Sequence, residues 1–159
     1  MKAYLETTIF NFYHADKGMQ YYGPTVQFCQ DVKKFFRAID VGKYKPYTSE
    51  YVIGEIEREP NEERQLAMLK LIADYNVIIL PKSADIEHLA QMYIDAGVIP
   101  ETFPDDALHI AATTIYELDL IVSLNFQHII KDKAIRITAE INSAERYKNI
   151  CIFEPRELI

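Results

Sequence analysis

Short apolar runs alternate with amphipathic segments along the whole chain. Runs at 3–5, 45–48, 77–80, 120–123 and 150–153 read as short strands, the second of them interrupted by Pro46. After the first, Ile9, Phe10 and Tyr13 suggest a helix. A polar, tyrosine-rich loop is expected over 18–24. Thr25 then caps a helix to about Asp40, whose apolar stripe is Phe28, Cys29, Val32, Phe35, Phe36 and Ile39. Ser49 caps a helix reaching Glu59 and ended by Pro60. Asn61 caps another, carrying Leu66, Leu69, Ile72 and Ala73. Ser83 starts a helix through Leu89, Met92 and Tyr93 that stops at Gly97. A short helix is predicted over 125–130 and a longer one over 137–147.

The segment from Pro104 to Ile129 organises the rest. Leu108, Ala111, Ala112 and Ile115 recur at helical spacing and predict one apolar face. At about 100° per residue, Asp106, His109 and Thr113 share the opposite face. A carboxylate pair at a helix start has an ordinary reading as a cap, because Asp oxygens accept orphan N–H groups and suit the helix dipole. One Asp suffices for that job, and two adjacent ones repel.

Strands that alternate with helices favour an α/β domain with a parallel sheet and right-handed crossovers. A length of 159 residues suits one domain, 1–159. In such sheets a ligand site lies beyond the carboxyl ends of the strands, where strand order reverses. The polar residues expected there are Glu6-Thr7-Thr8, Ser123 and Asn125, with the helix starts near Ser49 and Asp105.

Composition narrows the function classes. Hydrophobic residues at 49% and charged residues at 26% are ordinary for a globular protein and argue against disorder. A net charge of −7 excludes passive nucleic-acid binding by a broadly basic surface. Two cysteines without ligand-like spacing, Cys29 and Cys151, suggest packing in a reducing compartment. Glu6 breaks the first apolar run, so no signal peptide is expected, and no run reaches the ~20 residues of a membrane span. A cytoplasmic location is the expectation.

Three segments offer acids that could converge: Glu6, Glu55, and Asp105 or Asp106. In the helix after Ser49, Val52 and Ile56 mark the buried direction, and Glu55 falls roughly 60° from Val52. Glu50 and Glu57 fall on the solvated side. Clustered carboxylates repel and lose solvation, and a divalent cation offsets that cost. Oxygen-only ligands suit Mg²⁺ or Mn²⁺, and no Cys/His pattern suggests zinc.

Four motifs occur in order: Tyr4-Leu5-Glu6-Thr7-Thr8, the run from Thr48 to Ile56, the run from Asp105 to Ala111, and the run from Ile121 to His128. Together they resemble the PIN-domain family, in particular its toxin-like, VapC-type ribonucleases of toxin–antitoxin systems. The resemblance covers nearly the whole chain, including a tail with Ile141, Asn142 and Tyr147. It implies a three-layer α/β/α fold with five parallel strands in the order 3-2-1-4-5, and a metal-dependent endoribonuclease. By family position, Glu6, Glu55 and Asp106 are the carried-over acids, Thr8 is the hydroxyl at +2, and Asn125 stands where many members have a fourth acid. Asp105 is an extra carboxylate nearby, with Ser123 and His109 in supporting places. The resemblance also implies an RNA substrate, an antitoxin partner and a homodimer.

Two departures from the family pattern stand out. The first acid is usually Asp, and a misplacement of ~1 Å in a reacting group can cost on the order of 10²-fold in rate. Asn125 binds metal or water through its carbonyl without adding charge. They leave open an alternative, a catalytically weakened module that binds RNA or protein. A phosphoacceptor or phosphatase domain is a third reading, with Glu6 or Asn125 where its nucleophile would stand. His109 and His128 could touch substrate or be satisfied structural histidines. Lys131, Lys133 and Arg136 could meet the RNA backbone or form a solvated turn.

Overall fold

A computed structural model describes residues 1–15 and 23–159. Five parallel strands form one sheet in the order β3-β2-β1-β4-β5, as expected. They are β1 (Lys2–Leu5), β2 (Lys45–Ser49), β3 (Ile78–Leu80), β4 (Leu120–Val122) and β5 (Cys151–Phe153). The helices are α1 (Thr7–Tyr13), α2 (Gly23–Asp40), α3 (Glu50–Glu57), α4 (Glu62–Asp74), α5 (Ala84–Asp95), α6 (Pro104–Ile115) and α7 (Asp132–Ala144), with a closing 3₁₀ turn at Pro155–Leu158. The chain lays β2 and β3 on one side of β1, then returns to add β4 and β5 on the other. With right-handed crossovers, this reversal puts helices on both faces and opens a crevice between β1 and β4.

Pro46 fits because of the register. The Lys45 N–H donates to the Met1 carbonyl at 2.8 Å, so the next backbone nitrogen faces away from β1. On that side β3 begins only opposite Tyr47, and no ladder bond is lost at Pro46.

Several expectations need correction. The loop over 18–24 falls mainly outside the described residues, but Gly23 and Pro24 already belong to α2, where Pro suits the first turn. Residues 125–130 form a single turn, with the Ile129 and Ile130 N–H groups both donating to the Asn125 carbonyl. Helix α7 starts at Asp132, five residues earlier than its apolar pattern suggested. In α4 the buried face is Met68, Leu71 and Ile72, while Leu66 is exposed. Helix α6 departs most. It is buried nearly all round, so the polar Asp106, His109 and Thr113 are as buried as Ala111 and Ala112, and Leu108 and Ile115 are only half-buried.

A polar knot joins the second half. Tyr93 of α5 donates to Asn142 Oδ1 of α7 at 2.5 Å and meets Thr114 Oγ1 of α6 at 3.2 Å, while Asn142 Nδ2 donates to the same hydroxyl at 3.2 Å. Burial pushes the Tyr93 phenol up to about 12, so it stays a donor. Every partner in this buried network is satisfied, which fixes one packing of the three helices.

Helix α6 ends with Glu117 at φ +51°, and the Leu118 N–H reaches back to the Thr113 carbonyl at 3.0 Å. Glycine is the residue suited to this left-handed position. Glu117→Gly is expected to stabilise the fold by about 0.5–1 kcal/mol, as measured by urea unfolding. Destabilisation would refute this account of the helix end.

Candidate active site

The end of β1 leads directly into α1, so Glu6 sits at the N-cap with its backbone N–H bonded to Val122 of β4 at 3.2 Å. Its side chain turns inward and is 2% exposed. Oε2 accepts from the Thr8 hydroxyl at 2.5 Å, the Ser123 hydroxyl at 2.8 Å and the Thr8 N–H at 3.2 Å. Thr8 also accepts from the Leu124 N–H at 2.8 Å, tying the ends of β1 and β4 together. Oε1 accepts no hydrogen bond. Thr138 Oγ1 is the one fully enclosed side-chain polar atom without a partner among the described residues, so Glu6 Oε1 keeps contact with solvent.

Glu55 comes from α3, on the edge of the buried face as its helical phase predicts. Its Oε1 accepts from Thr7 Oγ1 at 2.9 Å and from His109 Nε2. Ser49 holds the N-cap position of α3 but makes no capping bond. Its hydroxyl instead lies 2.6 Å from Tyr4 Oη, which in turn lies 2.9 Å from His109 Nδ1. His109, completely buried, thus stands between β1 and α3 with both ring nitrogens engaged.

Asp105 and Asp106 do not cap α6. Phe103 holds the N-cap position without a side-chain bond. Asp106 Oδ2 accepts from His128 Nδ1 at 2.7 Å, and the Phe103 ring lies 4.4 Å from the His128 ring. Asp105 is drawn to the surface by Arg58, at 2.7 Å. Asn125 works locally: its Oδ1 accepts from the His128 N–H at 3.0 Å, and its N–H donates to Ser123 Oγ at 2.9 Å. A continuous string of bonds therefore runs from Glu6 through Ser123, Asn125 and His128 to Asp106.

The electrostatics centre on His109. Burial alone depresses its pKa, but the bond and charge of Glu55, with the charges of Glu6 and Asp106, outweigh it and raise the value. Burial likewise tends to raise Glu55, yet the His109 bond and charge, Thr7 and Arg58 hold it below the usual range. Glu6 goes the other way. Burial dominates and raises it despite His109, Thr8 and Ser123.

Of the predicted residues, the structure brings Glu6, Thr8 and Ser123 into direct contact, joins Glu55 to His109, and joins Asp106 to His128. Asp105 and Asn125 have other immediate partners. Tyr4 and Thr7 entered the sequence reading only within the first motif, without roles, and Arg58 and Phe103 were not singled out, since nothing in their spacing marks them. Among the described residues, no three His, Cys, Asp or Glu side chains are grouped as a cage for a metal ion. The donor chemistry still suits a hard cation. Glu6 Oε1, Glu55 Oε2 and Asp106 Oδ1 accept no hydrogen bond, and Mg²⁺ commonly keeps several waters between itself and such oxygens.

A raised folded-state pKa means that ionised Glu6 opposes folding above that value and does not below the unfolded one. In EDTA, Glu6→Gln is therefore expected to raise the melting temperature at pH 8 by roughly 2–4 °C. The difference should shrink to nothing as pH falls to ~4. A lower melting temperature for the variant at pH 8 would contradict this reading.

No protein-family model matches the chain, and no curated protein matches it. Among solved structures, the chain is similar to one in VapBC2 from Rickettsia felis, crystallised bound to a DNA fragment from its promoter. The likeness covers 97% of this chain and 98% of that one, with a TM-score of 0.59 and 13% sequence identity. Identity that low speaks for the fold alone. With strand order 3-2-1-4-5 and a full-length match to a VapBC2 chain, this protein has the PIN-like fold that its motifs resemble.

Proposed function

We propose that the protein is a toxin-like endoribonuclease that hydrolyses RNA phosphodiesters with Mg²⁺ or Mn²⁺. What supports this reading is that Glu6, Glu55 and Asp106 each have one oxygen held by a hydrogen bond and the other accepting none, with Glu55 bonded to His109. Glu6, Glu55 and Asp106 would hold the cation, with Asp105 and Asn125 ordering its outer waters. When bound, the ion supplies Lewis acidity and offsets phosphate charge.

The chain's own residues have distinct tasks. Thr8 and Ser123 fix the rotamer of Glu6. Because a carboxylate only accepts, His109 Nε2–H donates to Glu55 and sets its angle. The charge of His109 lowers the repulsion among the acids before any cation arrives. His128 orients Asp106 in the same way. A protein partner of the antitoxin kind, and self-association as a homodimer, accompany this reading; the VapBC2 likeness supports the first.

Calorimetric titration with Mn²⁺ tests the site without knowledge of the RNA. The wild type is expected to bind, and Asp106→Asn to bind at least ~10-fold more weakly. Cleavage of single-stranded RNA should require Mg²⁺ or Mn²⁺, stop in EDTA, and fall on the order of 100-fold in Glu55→Gln and Asp106→Asn. Metal binding with no cleavage of any RNA would favour the weakened binding module, whose signature is the Glu6 and Asn125 departures. Equal Mn²⁺ binding by both proteins would overturn the site.

A further inference from the structure

His128 has a second face. Nδ1 is held by Asp106, and the residue is 6% exposed, yet Nε2 makes no hydrogen bond. His128 forms part of the wall of an open cavity of about 430 Å³ between the end of α5, the turn at 125–130 and the start of α7. His128 therefore joins Asp106 to the wall of this cavity.

The cavity wall carries two lysines, Lys131 and Lys133, together with Asp95 and Glu101. Lys131 Nζ lies 3.4 Å from the Gln127 carbonyl on the wall. Lys133 Nζ overhangs Gly97, 4.0 Å from where a Cβ would stand. Gly97 has φ +79°, so the bend that admits this ammonium is one a side chain would strain. Neither lysine forms an ion pair with a described residue, whereas Arg136, one turn further along α7, pairs with Glu140. Asp95 is also in the wall but accepts from Gln91 at 2.8 Å, and Glu101 and the Gln127 amide supply further groups able to meet a base edge.

We propose that this cavity is a subsite for one unpaired nucleotide of the RNA strand, adjacent to the bond that is cut. Its phosphate lies between Lys131 and Lys133, its base faces the Gln127 and Glu101 side, and His128 is part of the wall. The volume falls within the range of small-ligand pockets, roughly 300–1,000 Å³. It takes a single nucleotide and not a duplex. The choice of RNA rests on the ribonuclease reading above, but the binding site stands on the cavity and its lysines.

The test separates the two. In EDTA, ¹H–¹⁵N NMR titrations with 5′-AMP, CMP, GMP and UMP are expected to shift the amides of Gly97, Gln127, Lys131 and Lys133. The affinity should fall about 10-fold or more in Lys131→Ala/Lys133→Ala and stay unchanged in Lys70→Ala/Lys148→Ala, which removes an equal charge outside the cavity. The double variant should keep wild-type Mn²⁺ affinity, showing that it is folded. In cleavage assays it should raise KM about 10-fold with kcat within about 3-fold, and flatten the salt dependence of RNA binding by a log–log slope of about 1.4. Nucleotide binding by a protein that cleaves nothing would keep the subsite and reject the ribonuclease reading. Absence of nucleotide binding, equal binding by the double variant, or occupancy by an acidic peptide alone would overturn the subsite.

Discussion

The repulsion and lost solvation of carboxylates near the carboxyl end of the sheet set the terms for the rest of the structure. Glu6 is almost fully buried, Glu55 partly so, and Asp106 is buried at the start of α6. An uncompensated group of this kind would take up protons or splay apart. The molecule answers with fixed donors. Thr8 and Ser123 hold one oxygen of Glu6, His128 holds one of Asp106, and His109 holds one of Glu55 while its charge acts on all three. Burying His109 in turn requires partners for both its ring nitrogens, which is why Tyr4 and Ser49 are fixed behind it.

Topology makes this meeting geometrically feasible. Strand order reverses at β1, so the residues that follow β1 and β4 face each other across one crevice, and α3 and α6 border it. Glu6, Thr8, Ser123 and Asn125 sit within a few residues of two adjacent strand ends. The string of bonds from Glu6 to Asp106 then couples the positions of acids that are 100 residues apart in sequence. Helix α6 carries both Asp106 and His109, and its burial on nearly every side holds them rigidly.

The same arrangement links two compartments through His128. One gathers negative charge, and the other is lined by two lysines with Asp95 and Glu101 in the same wall. A nucleic-acid strand presents both a phosphate that must be offset and bases that must be held. A site divided in this way would hold the proposed RNA strand without a broadly basic surface, in keeping with the net charge of −7.

The sequence by itself determined the alternation of strands and helices, the caps at Asn61 and Ser83, and the stop at Gly97, because these rest on local periodicity and backbone chemistry. It also marked Glu6, Thr8, Glu55, Asp106 and Ser123, which follow strands or share a helix face. Only the tertiary structure decided which face of α6 is buried, since a helix enclosed on nearly all sides keeps too narrow a solvent face for a clear amphipathic signature. It likewise turned Ser49 from a cap into a partner of Tyr4, drew Asp105 to Arg58, and paired His128 with Asp106. Those outcomes depend on contacts between segments far apart in the chain, where several hydroxyls and cations compete for the same few oxygens. The packing that chooses among them is a property of the whole fold and leaves no local pattern to read.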